Sequence, residues 1–172
     1  MPSRGILKYA GIGLGLVALA VAIIFISNRG AQIRLEGSVQ KVRIQPTDEN
    51  SCAVIVDFRF TNPADYPFIV REAKIYLEDA TGRRVEGRTA SAGNVKTMME
   101  YFSRTNPELG PQYNEVLIVR DRVEPGQYLD RMVCARFEIP ASQAAGRKRA
   151  IVVVEDVDGA LTEIAEEPAA AN

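Results

Sequence analysis

Near residue 30 the hydrophobic pattern changes from continuous to alternating, and that switch constrains the chain more than any single motif. Beyond it, apolar residues recur with period two between turn residues, which is the mark of strands with one buried face. Ile33, Leu35 and Val39 share one parity while Val42 and Ile44 share the other, so the first long strand is expected to carry a bulge near Gln40 or Lys41. Pro46 to Asn50 reads as a turn and Cys52 to Thr61 as the second strand, which Asn62-Pro63 ends because proline removes a ladder donor. Ile69 to Glu78 and Arg83 to Gly87 follow as a hairpin around Asp79-Ala-Thr-Gly82.

Ser91 to Phe102 breaks the period. Val95, Met98, Met99 and Phe102 recur at spacings of three and four, which predicts a short inserted amphipathic helix. Strands resume at Glu115 to Asp121, Tyr128 to Ile139, Arg149 to Val157 and Ala160 to Ile164. The expected fold class is therefore all-β: an antiparallel two-sheet sandwich, immunoglobulin-like, with seven to eight strands over residues 31–165 and one inserted helix. Residues 166–172, EEPAAAN, lack an apolar anchor and are expected to be a disordered tail.

Before the switch, the uncharged run from Tyr9 to Ile26 lies between Lys8 and Arg29. At 1.5 Å per residue it covers about 27 Å, close to a hydrocarbon core of roughly 30 Å. It reads as a single transmembrane helix over residues 9–28, behind a short basic cytoplasmic tail at 1–8. A cleaved signal is the rival, but the small-x-small site at Ala18-Leu19-Ala20 would cut the run in half. The expectation is a single-pass protein of a bacterial inner membrane, amino terminus inside and sandwich outside in the periplasm. Gly11 and Gly15 have the spacing of a helix-packing face, through which the anchor would contact a larger membrane complex.

Composition excludes several function classes. A formal net charge of −1 with interspersed signs provides no basic field for nucleic acid. Histidine is absent, which removes the commonest general base and metal ligand, so no Ser triad can be assembled and no cofactor or metal is expected. Glu155, Asp156 and Asp158 before Gly159 read as a hairpin turn, since their spacing is not that of an EF-hand. The opposite charges Arg120-Asp121-Arg122 and Asp130-Arg131 read as a solvated face.

In an outer compartment the two cysteines, Cys52 and Cys134, raise the possibility of a disulfide. Strand parity points Cys52 inward with Val54, Val56, Phe58 and Phe60, and sets Cys134 opposite with Asp130, Met132 and Arg136. That arrangement favours two unpaired thiols unless a bulge reverses one of them. Met98, Met99, Tyr101, Phe102, Tyr113 and Tyr128 gather around the insertion and its return, as core packing or as a groove for a lipid chain or partner protein.

The stretch Val54 to Gly87, VIVDFRFTNPADYPFIVREAKIYLEDATGRRVEG, resembles the group-2 late-embryogenesis-abundant fold, also called the water-stress and hypersensitive-response domain. The resemblance rests on an alternating strand running into Asn62-Pro63, the pair Phe68-Ile69, a strand like Ala73 to Leu77 and a tight glycine turn. It implies a seven- or eight-stranded sandwich without enzymatic activity, often membrane-anchored, linked to stress protection or lipid contact. Ala64 departs from the family's usual asparagine, the Ser91 to Gln112 insertion is long for a member, and no family binding residue maps onto this chain. Together these readings point to a noncatalytic, membrane-anchored sandwich that binds a partner protein or lipid, or serves as an accessory subunit of a membrane complex.

Overall fold

The computed structural model describes residues 13–23 and 34–167. The chain divides into two compact units, Met1–Gln32 and Ile33–Asn172. In the first, helix α1 comprises residues 13–23, all of them exposed. No helix among the described residues is long and apolar enough to cross a membrane.

This overturns the expected transmembrane helix over 9–28. With it go the signal-anchor role and the single-pass inner-membrane placement. An apolar run establishes that residues avoid charge; spanning also requires about twenty of them in one helix, and the described residues contain no such helix. Positions 9–12 and 24–28, Gly11 among them, lie outside the described residues. At Gly15 a Cβ would meet nothing within 4 Å among the described residues.

In the second unit, alternation produces two sheets that bury their apolar faces against each other. One sheet has the order β1 (Glu36–Asp48), β2 (Ser51–Thr61), β8 (Tyr128–Phe137), β5 (Arg88–Thr89), with β6 (Glu115–Val116) also on β8. The other runs β10 (Leu161–Ala165), β9 (Arg149–Asp156), β3 (Phe68–Glu78), β4 (Arg84–Glu86), with β7 (Arg122–Val123) also on β3. The pairing is antiparallel except between β6 and β8. Val54, Val56, Phe58 and Phe60 of β2 meet Ile75 and Leu77 of β3, Val152 and Val154 of β9, and Phe137 of β8 in the main core. Burying each such side chain contributes about 1.5–3 kcal/mol.

Among the described residues the seven to eight strands expected become ten, because the chain changes sheet twice and forms a short strand on either side of each crossing. β4 and β5 are one run interrupted at Gly87, whose amide donates to the Ile75 carbonyl in one sheet while its Cα lies against the other. A Cβ there would stand 2.5 Å from the Phe137 ring and 2.7 Å from the Ala135 methyl, so the crossing requires glycine. The expected strand Glu115 to Asp121 likewise ends at Val116, and residues 117–121 carry the chain across to β7. Both crossings lie on the same side of the sandwich and leave an opening between them.

The β1 bulge falls between Val39 and Lys41, where the parity change places it, and a second register shift separates Pro46 from Asp48. Asn62 and Pro63 end β2 in one sheet and lead to β3 in the other. The Asn62 side chain is fully buried: its amide donates to the Tyr66 and Val123 carbonyls, and its carbonyl accepts from the Ala64 amide. Helix α3 (Ala141–Ala145) follows Pro140 and sets Ala144 into the main core. At the other end, Glu166 accepts two bonds from Arg147 and one from the Ala150 amide, so order extends past the expected tail boundary. Residues 168–172 lie outside the described residues.

Candidate functional site

Helix α2 (Ala92–Thr105) occupies the expected insertion, with the Ser91 hydroxyl accepting from the Asn94 amide as its N-cap. The helix covers the outer face of the first sheet and builds a second core there from Val95, Met99, Leu109, Ala53, Ile55, Met132 and Cys134. That explains why β2 is buried on both faces over nearly its whole length. Below the helix, Arg43 and Asp57 form a buried ion pair at 2.7 Å. Arg43 also donates to the carbonyls of Leu109 and Pro111, and Asp57 accepts from the Asn114 amide. One ion pair thus ties the return segment of the insertion to the sheet, and each of its polar groups has a partner.

The aromatic and methionine residues singled out from the sequence do not share one groove. Met99 is buried under α2 and Met98 is half-buried beside it, its sulfur 4.0 Å from that of Cys134. Tyr101 is exposed and packs edge-on against Phe102, their ring centres 5.0 Å apart. Tyr113 lies over Lys41 and Arg43 with its ring centre 5.3 and 5.2 Å from the two cations. Tyr128 is 73% exposed at the start of β8. It stands opposite Thr61, whereas Cys134 under the helix stands opposite Ile55. Six residues of strand separate them, roughly 20 Å.

The recess that does form lies elsewhere, in the opening between the two crossings. Val70, Glu72 and Ala73 of β3, Thr89 to Ala92, and Leu117 to Val119 line a cavity of about 400 Å³. Thr89 to Ala92 and Leu117 to Val119 are the two stems of the insertion. Leu117 and Ala73 belong to the main core, so the floor of the recess is the interior of the sandwich. At its rim Ile118 and Val119 are 48% and 62% exposed.

The next residue, Arg120, has φ 72°, a left-handed conformation that costs a non-glycine residue about 1–3 kcal/mol. Its amide donates to the Val70 carbonyl at 2.7 Å, and the Asp121 carboxylate accepts from the Ile118 amide, which together hold the turn. Four successive apolar residues, Val116-Leu117-Ile118-Val119, were the available signal: a strand with one wet face would have alternated.

Both cysteines are free thiols, Cys52 in the main core and Cys134 in the core under α2, so the disulfide that was weighed is not made. Their strands are paired neighbours but their side chains point to opposite faces of the sheet. Burial pushes both thiols up, Cys134 to about 12, against which the nearby Arg43 charge acts only weakly. Thiolate is the reactive form, so a thiol-disulfide reagent at pH 8 is expected to leave both untouched in the native protein and to titrate both in 6 M guanidinium. Reaction of either thiol within minutes under native conditions would contradict this placement.

The acidic turn is structural in its contacts. The buried Asp156 carboxylate accepts from the Ile69 amide, and Glu155 pairs with Arg71. Among the described residues no group of three or more Cys, Asp or Glu side chains is arranged to hold a metal. On the outer face of the second sheet, bonds from Arg149 hold Glu78 below the usual carboxylate range, with Lys148 and Arg84 also within reach.

No protein-family model and no curated protein matches the chain. One solved structure, described as the X-ray structure of a Northeast Structural Genomics Consortium target, is similar over 80% of this chain and 84% of its own at 12% identity. Its TM-score of 0.36 is too low to carry an argument about fold or function.

Proposed function

We propose that this chain is a noncatalytic β-sandwich that binds a partner protein at the opening between its two sheet crossings. The observation that carries the reading is the apolar recess of about 400 Å³ whose rim presents Ile118 and Val119 to solvent. Soluble surfaces tolerate single exposed apolar residues, but an apolar cavity with two adjacent apolar residues at its edge has the composition of a contact site. The left-handed Arg120 supports it further, since stored backbone strain concentrates where a loop is held for recognition. The absence of histidine and the burial of both thiols favour binding over catalysis. The Asn62-Pro63 corner, on which the resemblance to the water-stress and hypersensitive-response domain rests, serves here as scaffold.

A photoreactive amino acid at Val119 of the full chain is expected to yield one discrete protein adduct in the native cell, and the same group at Tyr101 none. The adduct should vanish when Ala92→Trp fills the recess. Equal adducts from both positions, or none from Val119, would rule the site out.

A further inference from the structure

Resting on that reading, we infer that the recess receives an aliphatic side chain of the partner protein whose neighbouring lysine or arginine is seated on Glu72. Two of the polar groups lining the cavity are already committed to the fold. The Thr89 hydroxyl donates to the Ala73 carbonyl, and the Ser91 hydroxyl caps α2. Glu72 is the one ionisable side chain among the lining residues; because Ala73 faces the core, Glu72 turns to the outer face of the second sheet with Lys74 and Tyr76, and it marks an anionic point at the edge of the apolar volume.

That carboxylate is loosely paired. Its cation is Lys74, whose ammonium stands 3.7 Å from Glu72 but 3.1 Å from Glu86. Glu86 receives the Tyr76 hydroxyl as well, and the two donors hold its carboxyl below the usual range. Lys74 is therefore drawn toward Glu86, and Glu72, with half of its side chain exposed, retains capacity for a second cation. A basic group beside the mouth, on the outer face of the sheet, would be attracted to this charge, whereas a carboxylate placed there would be repelled.

The rim decides between a protein and a small amphiphile. Small ligands are enclosed over most of their surface. Ile118 and Val119 instead continue the apolar surface outward past the mouth, where only a broader partner covers them.

Selection of a random heptapeptide display library on the full chain tests the assignment. Enriched peptides are expected to carry an aliphatic residue next to lysine or arginine. Glu72→Gln should weaken a consensus peptide about two- to fivefold, the range of an exposed ion pair, and Ala92→Trp should abolish binding. Val119→Asp, at a largely exposed position, gives the same loss without disturbing the core. Peptides that need the open recess but carry no basic residue, or that ignore Glu72→Gln, would overturn the inference and leave the partner-binding reading standing. Absence of any peptide sensitive to Ala92→Trp and Val119→Asp, or saturable binding of hexanoate in their place, would overturn both.

Discussion

Replacing Arg43 with alanine is expected to cost about 3–5 kcal/mol of stability, the range for breaking a buried ion pair by removing one partner. Asp57, 2.7 Å away and as deeply buried, would keep only the Asn114 amide, and the carbonyls of Leu109 and Pro111 would lose their donor. Those carbonyls belong to the return segment of the insertion, so the damage should be uneven. Amide exchange should rise most in α2, whose buried side chains rest on the same outer face. Urea unfolding gives the total and hydrogen exchange its distribution. A shift below about 1 kcal/mol would mean that the pair is solvated. Replacing both partners, as Arg43→Met with Asp57→Leu, should not restore full stability here, because the two carbonyls and Asn114 remain without partners.

Asn62→Ala is the second large effect, expected at about 2–4 kcal/mol. The side chain satisfies the Val123 and Tyr66 carbonyls and the Ala64 amide from a position with no access to water. Each buried group left without a partner costs about 1–3 kcal/mol, and partial relaxation of the Ala64 to Tyr66 loop should recover some of the sum. Asn62→Asp separates the bonds. It keeps the acceptor for Ala64 but places a charge against two carbonyls, so it should be no better than alanine. An aspartate variant as stable as the parent would show that the carbonyl bonds contribute little.

The sheets were legible because their signal is local. The strand from Cys52 to Thr61, the β1 bulge and the helix after Ser91 follow from parity and from spacings of three and four within a few residues. Parity likewise separated Cys52 from Cys134 onto opposite faces. What alternation could not report is where a strand changes partner. Arg83 to Gly87 and Glu115 to Asp121 both read as continuous strands, yet β4 ends at Glu86 and β6 at Val116, and the chain then passes to β5 and β7 in the opposite sheets.

The recess exists only because both passages fall on one side, a fact of tertiary topology. The expected site failed for a related reason. Helical spacing identified Met99 and Phe102 as an apolar face, and such a face is equally suited to a groove or to the outer side of a sheet. Here Ala53, Ile55 and Met132 were waiting beneath it. The span expected at Tyr9 to Ile26 is not supported, because hydropathy measures aversion to water and no helix among the described residues is long and apolar enough to cross a membrane.

The interruptions in β1 bear on how copies of this chain meet in concentrated solution. As the terminal strand of its sheet it offers a row of unpaired backbone groups, the usual template for edge-to-edge growth. Its two register shifts twist that row out of line, Pro46 lacks a donor, and Lys41 sets a charge along it. Stacking by strand addition is thereby opposed at β1, the longest edge strand among the described residues, which leaves the short edges at β10, β4 and β5 for that mode of association.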